Sequence, residues 1–203
     1  MQAQAPDLLV TVGRRSIASI GESRGFIKVL CLLLIKYGAC ALGSKYNVAV
    51  VGARRKRQGT GKYVAREFAN GGCDACAIVG TTPDTVATAR HNLQERYGIR
   101  REGYLSLSTL LANTPVDIVA ICSPAEVHLH HLEVAVEAGC HVFCEKPMWW
   151  STELAIDSGA RAEIRQRAAA LVDRYTQKGR FLALNTQWPF TLPGVPRIPS
   201  WGP

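Results

Sequence analysis

The feature that most constrains this chain is a repeated pairing of short apolar runs with amphipathic stretches that end in glycine. Residues 48–51 are a run of Val and Ala closed by Gly52; residues 61–70 then put Val64, Ala65 and Phe68 on one helical face before Gly71 and Gly72. Residues 75–79 repeat the run, and 84–97 repeat the helix, with Val86, Leu93 and Tyr97 at helical spacing and Gly98 as the stop. A weaker strand at 103–105 and a short helix through Leu110 and Leu111 lead to another apolar run at 117–122. A helix at 126–138 stopped by Gly139 follows, then a strand at 141–144. Ile164, Ala168, Leu171, Val172 and Tyr175 line one face of a helix at 160–178 that ends at Gly179, and 181–184 reads as a last strand. Runs this short and this uniformly apolar are what strands covered on both faces look like. Their alternation with helices predicts an α/β fold, a doubly wound parallel sheet with helices on both faces.

Length and charge narrow the class further. A chain of 203 residues supports one good-sized domain and leaves little room for a complete second one. Its best apolar run, residues 29–35 between Lys28 and Lys36, is far short of the ~20 residues that cross a bilayer. The net charge of +8 points toward nucleic acid until it is divided along the chain. Residues 1–44 carry five Lys/Arg against two Asp/Glu, 45–147 carry twelve against ten, and 148–203 carry seven against four. The excess is spread over the ends and the run Arg54-Arg55-Lys56-Arg57 and makes no stripe, so no nucleic-acid partner is expected. A basic nucleic-acid-binding protein remains the more distant alternative.

Seven cysteines without framework spacing read as reduced thiols of a cytoplasmic protein. Cys73-Asp74-Ala75-Cys76 is a CxxC, but no second pair completes a zinc site and no helix starts at it, so two ordinary thiols and no metal are expected. Residues 1–44 differ from the rest and read as an extension with no fold of its own. Arg14-Arg15, the apolar run and Ala39-Cys40-Ala41 loosely imitate a twin-arginine signal, but about a dozen residues separate pair from run, so export is only an alternative.

The loop after the first strand carries the first functional signal. In such folds this turn holds a dinucleotide pyrophosphate on the amides of the helix start. It runs from Gly52 through the basic residues to Gly59-Thr60-Gly61, longer than the usual fingerprint by about five residues. As GxGxxxA, Gly59 and Gly61 allow the tight turn, and Ala65 is the small residue that lets helix pack on strand. Gly61-Lys62 does not open a P-loop, because Lys56 stands where its first glycine belongs and Tyr63 replaces the Ser/Thr that holds magnesium. The basic run serves either as a solvated loop or as a partner for the 2′-phosphate of NADP. After the second strand, where an acid often holds the NAD ribose, the chain reads Gly80-Thr81-Thr82, with Asp84 slightly late. The cofactor is therefore expected to be NADP or NAD, with a lean to NADP.

Ser123-Pro124-Ala125-Glu126-Val127-His128, followed by Ala138-Gly139-Cys140-His141-Val142-Phe143-Cys144-Glu145-Lys146-Pro147, resembles the Gfo/Idh/MocA oxidoreductases, with their TPxxxH-like turn and AGKHVxxEKP motif. The resemblance runs from about residue 45 to 192. It implies a Rossmann-like domain at 45–192 and a nicotinamide-dependent redox reaction on a sugar, polyol or related small molecule. It implies that Lys146 is catalytic, lying between nicotinamide and substrate and polarising the reacting hydroxyl or carbonyl. Glu145 becomes a cofactor-side or lysine-orienting residue, Pro147 shapes the turn, and Ser123 and Pro124 line the cofactor cleft. His128 stands near the cofactor without being the usual proton-transfer residue. His128 and His131, one turn apart, gather no further ligand for a metal. The cofactor-binding set expected is Gly52, Gly59, Thr60, Gly61, Thr81, Ser123, Pro124, His128 and Glu145.

The resemblance breaks where the family's second α/β domain would supply the partner acid and base. The chain reaches Leu184-Asn185-Thr186-Gln187-Trp188-Pro189 and then a Pro-rich tail at 193–203, with no histidine after His141. Hydride transfer also needs somewhere for the proton to go. The expectation is a truncated oxidoreductase reduced to cofactor binding, or alternatively an inactive nucleotide-binding fragment, with no membrane partner and no oligomer without the missing domain. Trp149 and Trp150 are expected to have packed against that domain.

Overall fold

A computed structural model describes residues 46–54 and 59–185. The extension at the front, residues 55–58 with most of the basic run, and the Pro-rich tail lie outside the described residues. Six strands form one sheet: β1 (Asn47–Val51), β2 (Asp74–Val79), β3 (Glu102–Tyr104), β4 (Ile118–Ile121), β5 (His141–Glu145) and β6 (Leu182–Asn185). All neighbours are parallel, in the order β3-β2-β1-β4-β5-β6. The helices are α1 (Gly61–Asn70), α2 (Pro83–Tyr97), α3 (Leu107–Asn113), α4 (His128–Glu137), α5 (Glu153–Ile156) and α6 (Ser158–Gln177).

Alternation along the strands feeds two cores. Val48, Val50, Ile118, Ala120 and Phe143 point to one face, where Val64 and Phe68 of α1 and Ala89 and Leu93 of α2 cover them. Phe68 meets Phe143 edge-on at 5.9 Å between ring centroids. Ala49, Val51, Val119, Ile121 and Val142 point to the other face, under Leu110 of α3, Leu132 and Val136 of α4, and Leu171 and Tyr175 of α6. The doubly wound α/β sheet expected from the alternation is the one observed.

The element ends differ from expectation for local reasons. α2 begins at Pro83, not at 84, because Thr82 and Thr85 form a reciprocal capping box and Pro83 needs no N–H partner in the first turn. The helix expected at 126–138 is a 3-10 turn, Ala125–Val127, followed by α4. Val127 donates to the carbonyl of Pro124, and its φ of −107° with ψ of 1° breaks the α-helical run. α6 starts at Ser158, two residues early, because the Asp157 carboxylate accepts the N–H of Gly159 at 2.7 Å. Trp149 packs partly buried against the second core, with the Arg167 guanidinium 5.5 Å from its ring, while Trp150 is exposed.

Candidate dinucleotide site

β1 and β4 are neighbours, and their connections leave in opposite directions, to β2 and to β5. This is the switch point at which open α/β sheets bind ligands, beyond the carboxyl ends of the strands. A cleft of about 690 Å³ lies there, within the range of small-molecule and cofactor sites.

Its floor follows from two glycines. Gly52 has φ of +91°, and a Cβ on it would stand 2.5 Å from the carbonyl oxygen of Cys122. A Cβ on Gly61 would stand 2.7 Å from the carbonyl oxygen of Gly52. Bare backbone at both positions lets the start of α1 lie directly on the ends of β1 and β4. Gly52, Gly59 and Thr60 line the cleft, while Gly61 is buried just behind them. α1 has no acidic residue in its first turn and no side-chain cap among the described residues, whereas α2 has both a capping box and Asp84. The positive end of the α1 dipole is thus left for an anion.

The end of β2 contributes Thr81, exposed on the cleft, as the sequence expects. Arg54 lines the cleft beside it, and its carbonyl accepts from Asn92 Nδ2 at 3.2 Å. The end of β4 contributes Ser123 and Pro124. Ser123 Oγ lies 3.1 Å from His131 Nδ1. Burial, then the charges of His130 and His128, push His131 down to about 4, so at neutrality its ring accepts the serine proton or donates from Nδ1 uncharged. The end of β5 contributes Glu145 and Lys146. Glu145 is 7% exposed, and its Oε1 accepts from Asn185 Nδ2 on β6 at 2.7 Å. Lys146 is exposed and joined to Pro147 by a cis peptide bond.

The structure brings Gly52, Gly59, Thr60, Thr81, Ser123, Pro124, Glu145 and Lys146 to one cleft. His128 does not face it: the ring is 1% exposed and sits behind the wall, bonded to Ser123 and Pro147. Residues 105–108 and His130 line the cleft without having been singled out, and His131, weighed above only as a metal ligand, lines it too. They come from the β3–α3 connection and from α4, where only the folded order shows what they face. Among the described residues no three His, Cys, Asp or Glu gather into a metal site, and no helix is long and apolar enough to cross a membrane. Of the CxxC pair, Cys73 is buried, while the Cys76 thiol donates to the Val48 carbonyl and is pushed up to about 11 by burial and then Asp74. Both are free thiols.

Strand order, glycine floor and cleft position define a dinucleotide-binding Rossmann domain. A family model described as an oxidoreductase family with an NAD-binding Rossmann fold matches residues 46–173, and the chain belongs to this family, Gfo/Idh/MocA. A D-glucoside 3-dehydrogenase of Escherichia coli is 44% identical over 63 residues, 31% of this chain and 18% of that protein. Among solved structures, myo-inositol 2-dehydrogenase of Lactobacillus plantarum superposes with a TM-score of 0.52 at 18% identity, over 70% of this chain and 36% of that one. The WlbA dehydrogenase of Chromobacterium violaceum, in complex with NADH and UDP-GlcNAcA, gives 0.52 at 24% identity, over 71% and 36%. The chain therefore spans about a fifth of the curated relative it matches and about a third of these structures.

Proposed function

We propose that the cleft binds a nicotinamide dinucleotide, with its pyrophosphate at Gly59-Thr60 and its nicotinamide end toward Ser123 and Lys146, and that it serves hydride transfer on a sugar or polyol hydroxyl. The observation that carries this reading is the convergence of the uncapped α1 start, Ser123 and Lys146 on one cleft at the switch point. The dehydrogenases of glucosides and inositols among the matched proteins support the substrate class.

The bound nicotinamide supplies the hydride acceptor or donor. The described residues supply the binding floor and the lysine, and the proton of the reacting hydroxyl needs an acceptor beyond them. The Gly52–Gly61 floor brings backbone and a helix dipole to the diphosphate. The Lys146 ammonium beside the reacting oxygen stabilises the alkoxide character that develops there. Glu145, fixed by Asn185 Nδ2, shapes the end of β5 from which Lys146 projects.

Arg54 and Thr81 favour a cofactor carrying a 2′-phosphate. Thr81 puts no carboxylate where a phosphate would be repelled, and Arg54 stands on the cleft with its backbone tethered by Asn92. Calorimetric titration checks this: NADPH is expected to bind more tightly than NADH, with Arg54→Ala removing most of the difference. Tighter NADH binding, or a preference indifferent to Arg54→Ala, would overturn the NADPH assignment. Binding of neither nucleotide would overturn the whole reading.

A further inference from the structure

His128 opens α4 with its ring wholly enclosed. Nδ1 lies 2.9 Å from the carbonyl oxygen of Pro147, and Nε2 lies 2.8 Å from that of Ser123. Carbonyl oxygens only accept, and a neutral imidazole has one N–H. A neutral ring would therefore set a lone pair against one of two carbonyl oxygens at hydrogen-bond distance, and the lost bond and the repulsion oppose the burial that favours the uncharged form.

The groups around the ring leave this conclusion standing. Cys144 on β5 has its Sγ 3.6 Å from Nδ1 and donates to the Glu145 carbonyl; burial and then Glu145 push it up to about 12, so it remains a thiol. On α4 the neighbours are His130 and His131, the latter uncharged near neutrality. The loop after β4 brings Cys122, whose thiol burial pushes up. The end of β5 brings Lys146 and the carboxylate of Glu145, the anion of the set.

We infer that His128 is a positioning residue for Lys146: with a proton on each ring nitrogen, it ties the Pro147 carbonyl to the Ser123 carbonyl and fixes the turn after β5 against the loop after β4. Both partners adjoin the cleft wall, so the clamp sets the spacing of Ser123 and Lys146 from behind, touching neither substrate nor cofactor. The inference rests on the cofactor reading above.

The test compares NADH with ADP-ribose, which lacks the nicotinamide and so does not reach the Lys146 turn. His128→Phe removes both donors at similar volume, and His128→Gln keeps an amide donor. His128→Phe is expected to weaken NADH binding about tenfold, as loss of one or two hydrogen bonds would. ADP-ribose binding should hold, and His128→Gln should recover part of the NADH loss. Equal weakening of both ligands would overturn the positioning role. Failure of the unsubstituted protein to bind NADH, ADP-ribose and NADPH alike would overturn the cofactor reading and this inference with it; where only NADPH binds, NADPH and 2′-phospho-ADP-ribose take the places of the two ligands. Nitrogen-15 spectra of the unsubstituted protein, at roughly pH 6 where an ordinary histidine is mostly charged, test the clamp without any ligand or variant. Two protonated ring nitrogens on His128 are expected; a bare nitrogen that stays bare would overturn it.

Discussion

His141 shows how one side chain couples the sheet edge to pH. Its Nδ1 accepts the N–H of Phe181 at 3.0 Å, and the ring stacks on Phe181 with centroids 5.4 Å apart. An accepting Nδ1 requires a neutral ring, and burial, then the charge of Arg180, push its pKa down to about 4, against the opposing pull of Asp117. The folded value lies below the unfolded one, ~6.5. The unfolded state therefore takes up more protons between these values, and stability present above about 6.5 is lost as pH falls toward 4. His131 adds to the same trend. Thermal melts should hold steady between about pH 7 and 8, below the range in which the buried cysteines ionise in the unfolded chain, and drop across that acid window, with a shallower drop in His141→Gln; identical slopes in the two proteins would rule the histidine out. Lys146 and Glu145 were legible as candidates because their motif is local, and both line the cleft. The roles of His128 and His141 were not, because each depends on carbonyls or amides brought in by other strands.

At the scale of the element, the start of α1 depends on glycine at Gly52. Gly98 has a similar φ, +67°, with nothing within 4 Å of a Cβ, whereas Gly52 adds a backbone oxygen at 2.5 Å to a φ of +91°. Gly98→Ala should cost about 1 kcal/mol from backbone strain alone, and Gly52→Ala more than about 2 kcal/mol. Urea unfolding of the two variants measures the difference; equal costs would mean that β4 gives way at Cys122 and that the glycine floor is not rigid. The glycines that stop helices were readable, since Gly98 and Gly179 end α2 and α6 with positive φ. Starts were read less well. Thr82 and Asp157 act through side-chain caps whose bonds reach back only once the turn has formed. α5 went unseen because four residues, Glu153–Ile156, carry no period.

On the scale of the whole molecule, alternation of strand and helix was enough to foresee a parallel sheet with two covered faces. It was not enough to order the strands. The order puts β1 between β2 and β4, and that placement gathers residues as distant in sequence as Gly52, Thr81, Ser123 and Lys146 into one cleft. Each of those residues was suspected separately; their convergence is a property of the sheet. The central claim is that this cleft holds the nicotinamide dinucleotide, and amide chemical-shift mapping of the labelled protein during titration with NADPH tests it most directly. The account predicts saturable shifts at Gly52, Gly59, Thr60, Thr81, Ser123 and Lys146, and little change along the exposed face of α6. Shifts confined to other surfaces, or none at saturating nucleotide, would contradict it.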